Sequence, residues 1–396
     1  MTAEDLPIAL VTDARYRTAL AAIRALGRAG VPVAAAERGD VPPGDVLGFH
    51  SRYTRERLAL PPPEEAEAYL AAIADWAARR PGPVVWLPAA AASMRVAVFH
   101  QDRLPPGVRT ALPARDAFLT ADDKAALLRT AAAHGVPVPE TWARAPGETV
   151  SDFARRVRYP LVVKYRNGEA LGLPPARRYA VVRDAAAFER VYATMDARQP
   201  GPVVQEYLPG GGYGFATVMG EDGEPLAAFA HRRLREYPVG GGPSSFAESV
   251  RDPELERLGL TLLRALRWRG VAMVEFKQDA AGRHRLMEVN PRFWGSLALA
   301  VAAGVNVPLA WYALAAGRPF APVRAWPAGV RLRFLFQDAL AVRDLVRARR
   351  AGPGLLLRWM WELFDGSVTD GVFQRDDPRP GWAYLRRSLR RAGEAA

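Results

Sequence analysis

The chain has 396 residues, of which 49% are hydrophobic, and its formal net charge is +12. A chain of this length can bury the cores of two or three domains. The absence of cysteine excludes disulfides, thiolate nucleophiles and sulfur-ligated metals, and the scattered arginines argue against nucleic acid as the main partner. The first residues lack the pattern of a signal peptide and no run of about 18 apolar residues predicts a membrane span, so we expect a cytoplasmic protein.

The first 115 residues predict a parallel α/β domain. Apolar strands are predicted at 6–14, 31–37 and 83–90, and an amphipathic helix that runs through Arg28 separates the first two. This β–α–β order is typical of a parallel sheet. The first turn contains no G-x-G-x-x-G sequence, so dinucleotide binding is not indicated.

Residues 116–204 predict a linker helix followed by a small β-rich unit. Thr120 is expected to cap the helix, because acidic residues follow it at the positive end. A buried strand ends at Lys164 within "YPLVVKYRNG", and a flexible segment, residues 166–172, comes next. The strand end and the segment after it are therefore candidates for phosphate binding.

Lysine is rare in this chain, since only three of the 54 lysine and arginine residues are lysine, at positions 124, 164 and 277. The ammonium group is a compact point charge on a thin stem, whereas the guanidinium group is broad and planar. We therefore expect some of these lysines to make contacts, such as those with phosphate, that arginine does not reproduce.

Residues 205–325 predict a larger antiparallel sheet. The segment "VVQEYLPGGG", 203–212, is a strand that ends in a glycine-rich turn, where free backbone groups can bind an adenine edge. Asp222-Gly223 and "DAAG", 279–282, each predict a hairpin. The side chains of the second hairpin that are expected to face the core are Val274, Phe276, Met287 and Val289.

Glu275 and Glu288 are expected to lie directly across this second hairpin, with Cβ atoms about 4.5–5.5 Å apart. Two carboxylates that close repel each other unless a cation lies between them. Together with Asn290 they make an oxygen ligand set that suits Mg²⁺ completed by phosphate and water. The alternative is a pair of solvated glutamates on an edge strand, bridged by Lys277.

The order of these features over residues 110–320 resembles the ATP-grasp superfamily. The resemblance implies an α/β protein of the α+β ATP-grasp type, with a small lid and a larger antiparallel sheet. The predicted domains are an N-terminal α/β domain (1–115), an ATP-grasp lid with its linker helix (116–204), a C-terminal ATP-grasp subdomain with the metal site (205–325) and an arginine-rich helical tail (326–396).

The resemblance also implies the site residues. ATP and Mg²⁺ are the expected cofactors, and Mn²⁺ could replace Mg²⁺. The residues expected to bind the nucleotide are Lys124 and Lys164 at the phosphates and Glu206, Tyr207 and Leu208 at the adenine. Those expected to bind the metal are Glu275, Glu288 and Asn290. Arg292, in "EVNPR", matches the arginine that steadies the transferred phosphoryl group, and Arg292 and Asn290 are the expected catalytic residues.

Two departures from the superfamily pattern bear on the reaction. The acidic residue that usually holds the ribose is replaced by "GGGYGF", 210–215, and Ser296 stands where biotin carboxylases carry a glutamate base. The second departure disfavours bicarbonate chemistry and favours the ligation of a small-molecule carboxylate to an amine through an acyl phosphate. The alternatives are a carbamoyl-phosphate synthase- or carboxylase-like enzyme and an ATP-binding protein without catalysis.

The segment 231–249 is the candidate acceptor region. Only one of Arg232 and Arg233 can enter the site, because neighbouring side chains on a strand face opposite ways. His231 is expected to be structural. The candidate substrate contacts are Arg233, Ser244, Ser245 and Ser296, and the alternative for the serine-containing turn is an exposed polar loop.

The apolar segment "LLLRWMWELF", 355–364, allows two interpretations. It is too short to span a membrane, so it either packs as a C-terminal helix or touches a membrane surface as a peripheral contact. Whether the chain forms a homodimer is left open by the sequence.

Overall fold

Three β-sheets organise the part of the chain that the structure, a computed structural model, describes, residues 6–348 and 352–394. The start of the predicted N-terminal domain, residues 1–5, lies outside the described residues, as do 349–351 and 395–396 of the predicted tail. No helix among the described residues is long and apolar enough to cross a membrane.

The first sheet is parallel, as the β–α–β order of the sequence predicts, with the strand order β3-β2-β1-β4-β5. Its strands are β1 (Ile8–Val11), β2 (Val33–Arg38), β3 (Thr54–Leu60), β4 (Val84–Leu87) and β5 (Val108–Arg109). The helices between them are α1 (Arg17–Arg28), α2 (Ala66–Ala78) and α3 (Ala91–Phe99). The short inner strands are almost wholly buried, so their apolar runs form the core of this part of the molecule.

The second sheet is small and antiparallel, with the order β6-β9-β7-β8. Two linker helices precede it, α4 (Arg115–Asp122) and α5 (Lys124–Ala133). Its elements are β6 (Thr141–Trp142), α6 (Val150–Arg156), β7 (Leu161–Lys164), β8 (Tyr179–Val182), α7 (Ala185–Arg198) and β9 (Val203–Glu206). The two helices pack on the sheet around a separate aromatic core that includes Phe153, Phe188 and Tyr192.

The predicted helix cap at Thr120 is wrong. Thr120 lies inside α4, where its hydroxyl donates to the Asp116 carbonyl at 2.9 Å. Asp123 lies at the break between the two linker helices, and its Oδ1 accepts from the amides of Ala125 and Ala126 at 2.9 and 3.1 Å. The first amides of a helix need an acceptor, and the aspartate at the break supplies it.

The third sheet has seven strands in the order β14-β13-β10-β11-β12-β15-β16. Its strands are β10 (Gly212–Met219), β11 (Pro225–Glu236), β12 (Ser244–Ser249), β13 (Gly270–Gln278), β14 (His284–Asn290), β15 (Arg331–Arg333) and β16 (Val368–Asp370). The helices α8 (Pro253–Ala265), α9 (Leu297–Ala302) and α10 (Val307–Ala316) lie within the same part of the chain. Antiparallel pairing of β10 with β11 and of β13 with β14 forms both predicted hairpins.

The second hairpin has the predicted register at its centre and a different one at its end. Glu275 pairs with Glu288, but Phe276 pairs with Leu286, so Met287 is an extra residue in β14. This β-bulge shifts the alternation of side chains by one position. The expectation that Met287 faces the core is therefore wrong, and Leu286, which is fully buried, takes that place.

The C-terminal part is mostly helical, as predicted, with α11 (Leu335–Arg347), α12 (Pro353–Phe364) and α13 (Arg379–Glu394). It also contributes β15 and β16 to the large sheet, which the sequence did not predict. A buried ion pair between Arg24 of α1 and Asp377, 2.9 Å from Nε to Oδ2, ties this part to the first sheet. The predicted boundaries at 115, 204 and 325 stay predictions.

Candidate active site

One face of the large sheet brings charged side chains into a row. Glu288, Glu275, Gly214 and His231 are successive neighbours across β14, β13, β10 and β11. Side chains at paired positions project to the same face, so the two glutamates lie side by side and the histidine lies one strand beyond the glycine. This row forms the floor of the candidate site.

Two glycines in β10 let side chains of β11 reach across the sheet. A Cβ on Gly212 would lie 3.1 Å from Cδ of Arg233, and one on Gly214 would lie 2.4 Å from Cε1 of His231. Through the first gap Arg233 reaches Glu275, with 2.6 Å between Nη2 and Oε2. The sequence "GGGYGF" therefore has a packing role, because the missing side chains make room for the cation and the imidazole ring.

The two glutamates differ in their electrostatic surroundings. Burial alone would raise the pKa of Glu288, but Lys124, whose Nζ lies 3.1 Å from Oε2, and then Lys164 lower that pKa to about 2. Burial raises the pKa of Glu275, and Arg233 opposes the rise. Neighbouring carboxylates with opposite pKa shifts are typical of a pair that shares charge.

The donor set fits a cation that other oxygen ligands complete. The described residues contain no group of three or more His, Cys, Asp and Glu side chains that could hold a metal ion. Glu275 and Glu288 supply two carboxylates, and the Asn290 amide lies beside them, 3.3 Å from Nδ2 to Glu288 Oε1. Such oxygen ligands suit Mg²⁺ when phosphate and water fill the remaining positions.

The small sheet brings Lys164 towards this carboxylate pair. Lys164 ends β7 and is only 8% exposed. Burial, with the charge of Lys124 adding to it, lowers the pKa of Lys164 to about 8, and Glu288 and Glu275 oppose the shift. Two lysines from different elements thus lie next to two carboxylates. A phosphate group bound between the lysines could contact both ammonium groups.

The predicted adenine hinge follows β9. Glu206 is tied to the chain beside it, because its Oε1 accepts from the Glu140 amide at 2.9 Å. Leu208 is buried, and its amide has no backbone partner among the hydrogen bonds of the described residues. Tyr207 is partly exposed and lies under Lys277, whose Nζ is 5.2 Å from the ring centroid. Lys277 therefore makes a cation–π contact with Tyr207. The alternative in which Lys277 bridges Glu275 and Glu288 has no counterpart among the ion pairs of the described residues.

Arg292 follows β14 and points towards the segment that was expected to be flexible. Its Nη2 lies 2.9 and 3.1 Å from the two carboxylate oxygens of Glu169, while its Nη1 donates to the Phe293 carbonyl at 3.0 Å. Arg178 also faces Glu169, at 3.6 Å. The guanidinium of Arg292 thus binds a carboxylate from the segment 166–172, in the geometry in which it could bind another anion.

Comparison with known proteins identifies the arrangement. Residues 198–336 match the family model described as ATP-grasp in the biosynthetic pathway with Ter operon. The biotin carboxylase–β,γ-ATP complex from Campylobacter jejuni aligns with a TM-score of 0.64 at 15% identity, over 82% of this chain and 74% of that one. The chain has the ATP-grasp fold. The resemblance found in the sequence is thereby confirmed.

Two further solved structures with the same fold carry the names of different enzymes. The N5-carboxyaminoimidazole ribonucleotide synthetase from Thermus thermophilus has a TM-score of 0.58 at 17% identity, over 82% of this chain and 81% of that one. The L-amino acid ligase from Bacillus licheniformis has a TM-score of 0.55 at 17% identity, over 78% and 74%. A search of curated protein sequences gives no significant match.

Within this ATP-grasp module the candidate substrate residues fall into two groups. Arg233 enters the site, whereas Arg232 lies on the other face and pairs with Glu248. Ser244 and Ser245 were expected in a polar turn near the site, but both are buried in β12.

Ser245 lies in the strand β12 and not in a turn. Its hydroxyl donates to Oδ1 of the buried Asp338 at 3.1 Å. This carboxylate of α11 therefore engages the Ser245 hydroxyl, and the substrate contacts expected for Ser244 and Ser245 stay predictions.

Ser296 and His231 form a buried pair at the far end of the row. Ser296 Oγ lies 3.1 Å from Nε2 of His231, and both residues are at most 3% exposed. Burial, and then the charge of Arg233, lowers the pKa of His231 to about 3. A neutral imidazole of this kind is a poor proton acceptor, in agreement with the structural role expected for it.

Arg17 was missed by sequence reasoning and lies beside the same end of the site. Its guanidinium carbon is 3.6 Å from the ring centroid of Phe334, and Nη2 lies 4.0 Å from where a Cβ on Gly295 would be. Nη1 is buried and has no hydrogen-bond partner, and burial lowers the pKa of the side chain. Nothing in the sequence marks this arginine among the many others, because only the tertiary fold brings α1 next to Gly295.

Proposed function

We propose that the chain is an ATP- and Mg²⁺-dependent ligase that activates a carboxylate as an acyl phosphate and couples it to an amine. The observation that carries the proposal is the pairing of cations with carboxylates on one sheet face, Lys124 with Glu288 and Arg233 with Glu275. A magnesium nucleotide would offer both sets a stronger partner, metal for the carboxylates and phosphate for the cations. After such an exchange each of these four side chains would have a partner of opposite charge.

In this proposal Glu275, Glu288 and Asn290 hold Mg²⁺, or Mn²⁺ in its place. The metal, when bound, neutralises charge on the phosphate oxygens. Lys124 and Lys164 hold phosphates, since the compact ammonium groups lie within reach of the carboxylate pair. The backbone of Glu206, Tyr207 and Leu208 binds the adenine edge.

The first chemical step joins a carboxylate oxygen of the substrate to the γ-phosphorus and breaks the bond from that phosphorus to the bridging oxygen, which leaves on ADP. Arg292 stabilises the negative charge that develops on the transferred group. For this the guanidinium has to release Glu169, so the segment 166–172 would move as the substrate binds.

In the second step the nitrogen of the amine forms a bond to the acyl carbon. The bond from that carbon to the phosphate oxygen breaks, phosphate leaves, and the amine gives up a proton. His231 is unsuited to accept that proton because its pKa is about 3. The departing phosphate is a better proton acceptor near neutral pH. Arg17, whose buried Nη1 has no hydrogen-bond partner, would bind an anionic group of a substrate.

A bicarbonate-activating reaction is the second candidate, because the first solved structure described above is a biotin carboxylase. Ser296 disfavours the bicarbonate reaction, since a buried hydroxyl that contacts His231 does not replace a carboxylate base. The cytoplasm, which supplies ATP and Mg²⁺, is the expected location for either reaction.

Release of ADP in the presence of Mg²⁺, with amino acids and small carboxylates supplied in pairs, tests the proposal. We expect ADP to appear only with productive pairs, and Glu288→Gln to abolish its release while the protein stays folded. Glu248→Gln is the matched control, because Glu248 lies in the same sheet on the opposite face. ADP release that requires bicarbonate instead of a carboxylate and an amine would favour the second candidate.

A further inference from the structure

The helix α12 turns its apolar side chains outwards. Leu357, Trp361 and Phe364 are 64%, 77% and 87% exposed, and Leu356 and Met360 beside them are exposed as well. Their spacing places all five on one face of the helix. A surface helix of a globular protein normally packs its apolar face on the core. In α12 the apolar face points to solvent instead.

Polar contacts on the inner side of α12 fix this orientation. Glu362 Oε2 accepts from Arg235 Nη2 at 2.6 Å, and Trp359 Nε1 donates to Asp338 Oδ2 at 2.9 Å. Both carboxylates are buried. Rotation of the helix would separate Glu362 from the buried Arg235 and remove the Trp359 N–H from Asp338, and breaking such a buried ion pair is strongly unfavourable. The apolar face is therefore held outwards by the fold itself.

One exposed arginine borders the apolar face, and further arginines lie on the preceding helix and in the sequence that follows it. Arg358 borders it on α12 with 68% of its side chain exposed, and Arg343 and Arg347 are exposed at the end of α11. The chain has two further arginines at positions 349 and 350 and a net charge of +12. Apolar side chains next to arginines are complementary to acyl chains beneath anionic headgroups. A second copy of this positively charged chain would be repelled.

We propose that α12 and the arginines beside it dock the protein on an anionic lipid surface. The helix would lie in the plane of the interface, with Trp361 and Phe364 among the acyl chains. This inference goes beyond the proposed ligase reaction and does not depend on it, because no residue of the candidate active site takes part.

Co-sedimentation of the full chain with lipid vesicles tests the inference. We expect binding to vesicles of phosphatidylcholine with phosphatidylglycerol, little binding to phosphatidylcholine alone, and loss of binding at high salt. The double variant Trp361→Ser/Phe364→Ser should bind at least about tenfold more weakly, since two large apolar contacts are removed. Trp382→Ser is the matched control, because Trp382 is 59% exposed on a different helix, α13.

Two results would overturn the proposal. One is equal sedimentation of the unmodified chain with and without phosphatidylglycerol, or none with either. The other is a dimer in sedimentation velocity that the double variant dissociates while vesicles bind neither protein, which would make α12 an interface between copies of this chain. Because both substituted side chains are exposed, the thermal unfolding of the variant should be unchanged, and the lipid dependence of the unmodified chain tests the proposal independently of any variant.

Discussion

Lys124 and Lys164 carry their charges in different surroundings. Burial would lower the pKa of Lys124, but Glu288 raises it above its ordinary value. Lys164 has no ion-pair partner within 4.0 Å in the described part of the chain, and burial lowers its pKa to about 8. Two of the three rare lysines thus lie next to a carboxylate pair, Lys164 buried and Lys124 partly buried.

Lys164→Arg tests whether the site needs the compact ammonium. The substitution keeps the charge but places a broader group at the end of β7, where 8% of the lysine is exposed. We expect a folded protein that binds ATP more weakly and loses on the order of 10²-fold in turnover, the effect of a displacement of about 1 Å. Unchanged ATP affinity and turnover would show that Lys164 is not a phosphate ligand.

The lowered pKa of Lys164 also predicts proton uptake. Contact with phosphate favours the charged amine, so ATP binding near and above pH 8 should draw a proton onto Lys164, whereas well below pH 8 the lysine is already charged. Calorimetric titrations with ATP in two buffers of different ionisation enthalpy measure this uptake. Lys164→Met should abolish it. Equal binding enthalpies in both buffers at pH 8 would contradict the prediction.

The same shift has a consequence for stability. The pKa of Lys164 in the folded protein is below its value of 10.5 in an unfolded chain, so the unfolded state binds more protons between these two pH values. The unfavourable contribution of the buried charge is present below about pH 8 and is relieved as the pH rises through 8 towards 10.5.

At the scale of single elements, the sequence predicted what depends on local alternation. The register of Glu275 opposite Glu288 follows from period-two patterning and from the turn at 279–282, and it was predicted correctly. The bulge at Met287 was not, because nothing local distinguishes a bulged residue from a paired one. The cap at Asp123 was missed since two adjacent aspartates and a threonine are all good caps.

Two contacts made by residues from distant elements, outside any motif, were beyond the sequence. Glu169 reaches Arg292 across 123 positions of the chain, and Arg17 approaches Gly295 from the helix α1. Sequence reasoning finds residues within a motif, such as "EVNPR", but not the partners that the fold brings to them. The motif residues were therefore predictable and their counter-charges were not.

Gly214→Ala tests the packing role of the glycines in β10. The new Cβ would lie 2.4 Å from Cε1 of His231, so the ring has to move, and overpacking of this kind costs about 1–3 kcal/mol. Gly211→Ala is the control, because its Cβ meets only ordinary contacts at 3.5 Å. Urea denaturation measures the free energy of unfolding of both variants, and equal values would contradict the packing role of Gly214. His231→Ala should restore much of the loss in the Gly214→Ala background.

At the scale of the whole molecule, the C-terminal part holds the first sheet against the large one. Asp377 accepts from Arg24, from the Ser51 hydroxyl at 2.7 Å and from the Arg52 amide at 2.9 Å. Arg24 and Asp377 are each about 1% exposed, so this contact is an internal one. The tail is thus part of the scaffold that places α1, and Arg17 with it, beside the site.

Asp377→Ala tests this connection. Removing one partner of a buried ion pair leaves the other charge unpaired and costs about 3–5 kcal/mol. Asp376→Ala is the control, since the neighbouring aspartate is 42% exposed in its pair with Arg28 and should matter much less. Chemical denaturation measures the free energy of unfolding of both variants. A similar small loss of stability in both would contradict the prediction.

The transfer of a carboxylate oxygen to phosphate tests the central claim most directly. Once a productive carboxylate and amine are known, the carboxylate is labelled with ¹⁸O and the phosphate released with Mg²⁺ and ATP is analysed by mass spectrometry. An acyl phosphate requires one labelled oxygen in the phosphate and the other in the amide product, with neither product formed by Glu288→Gln. Unlabelled phosphate released together with the amide would contradict activation through an acyl phosphate.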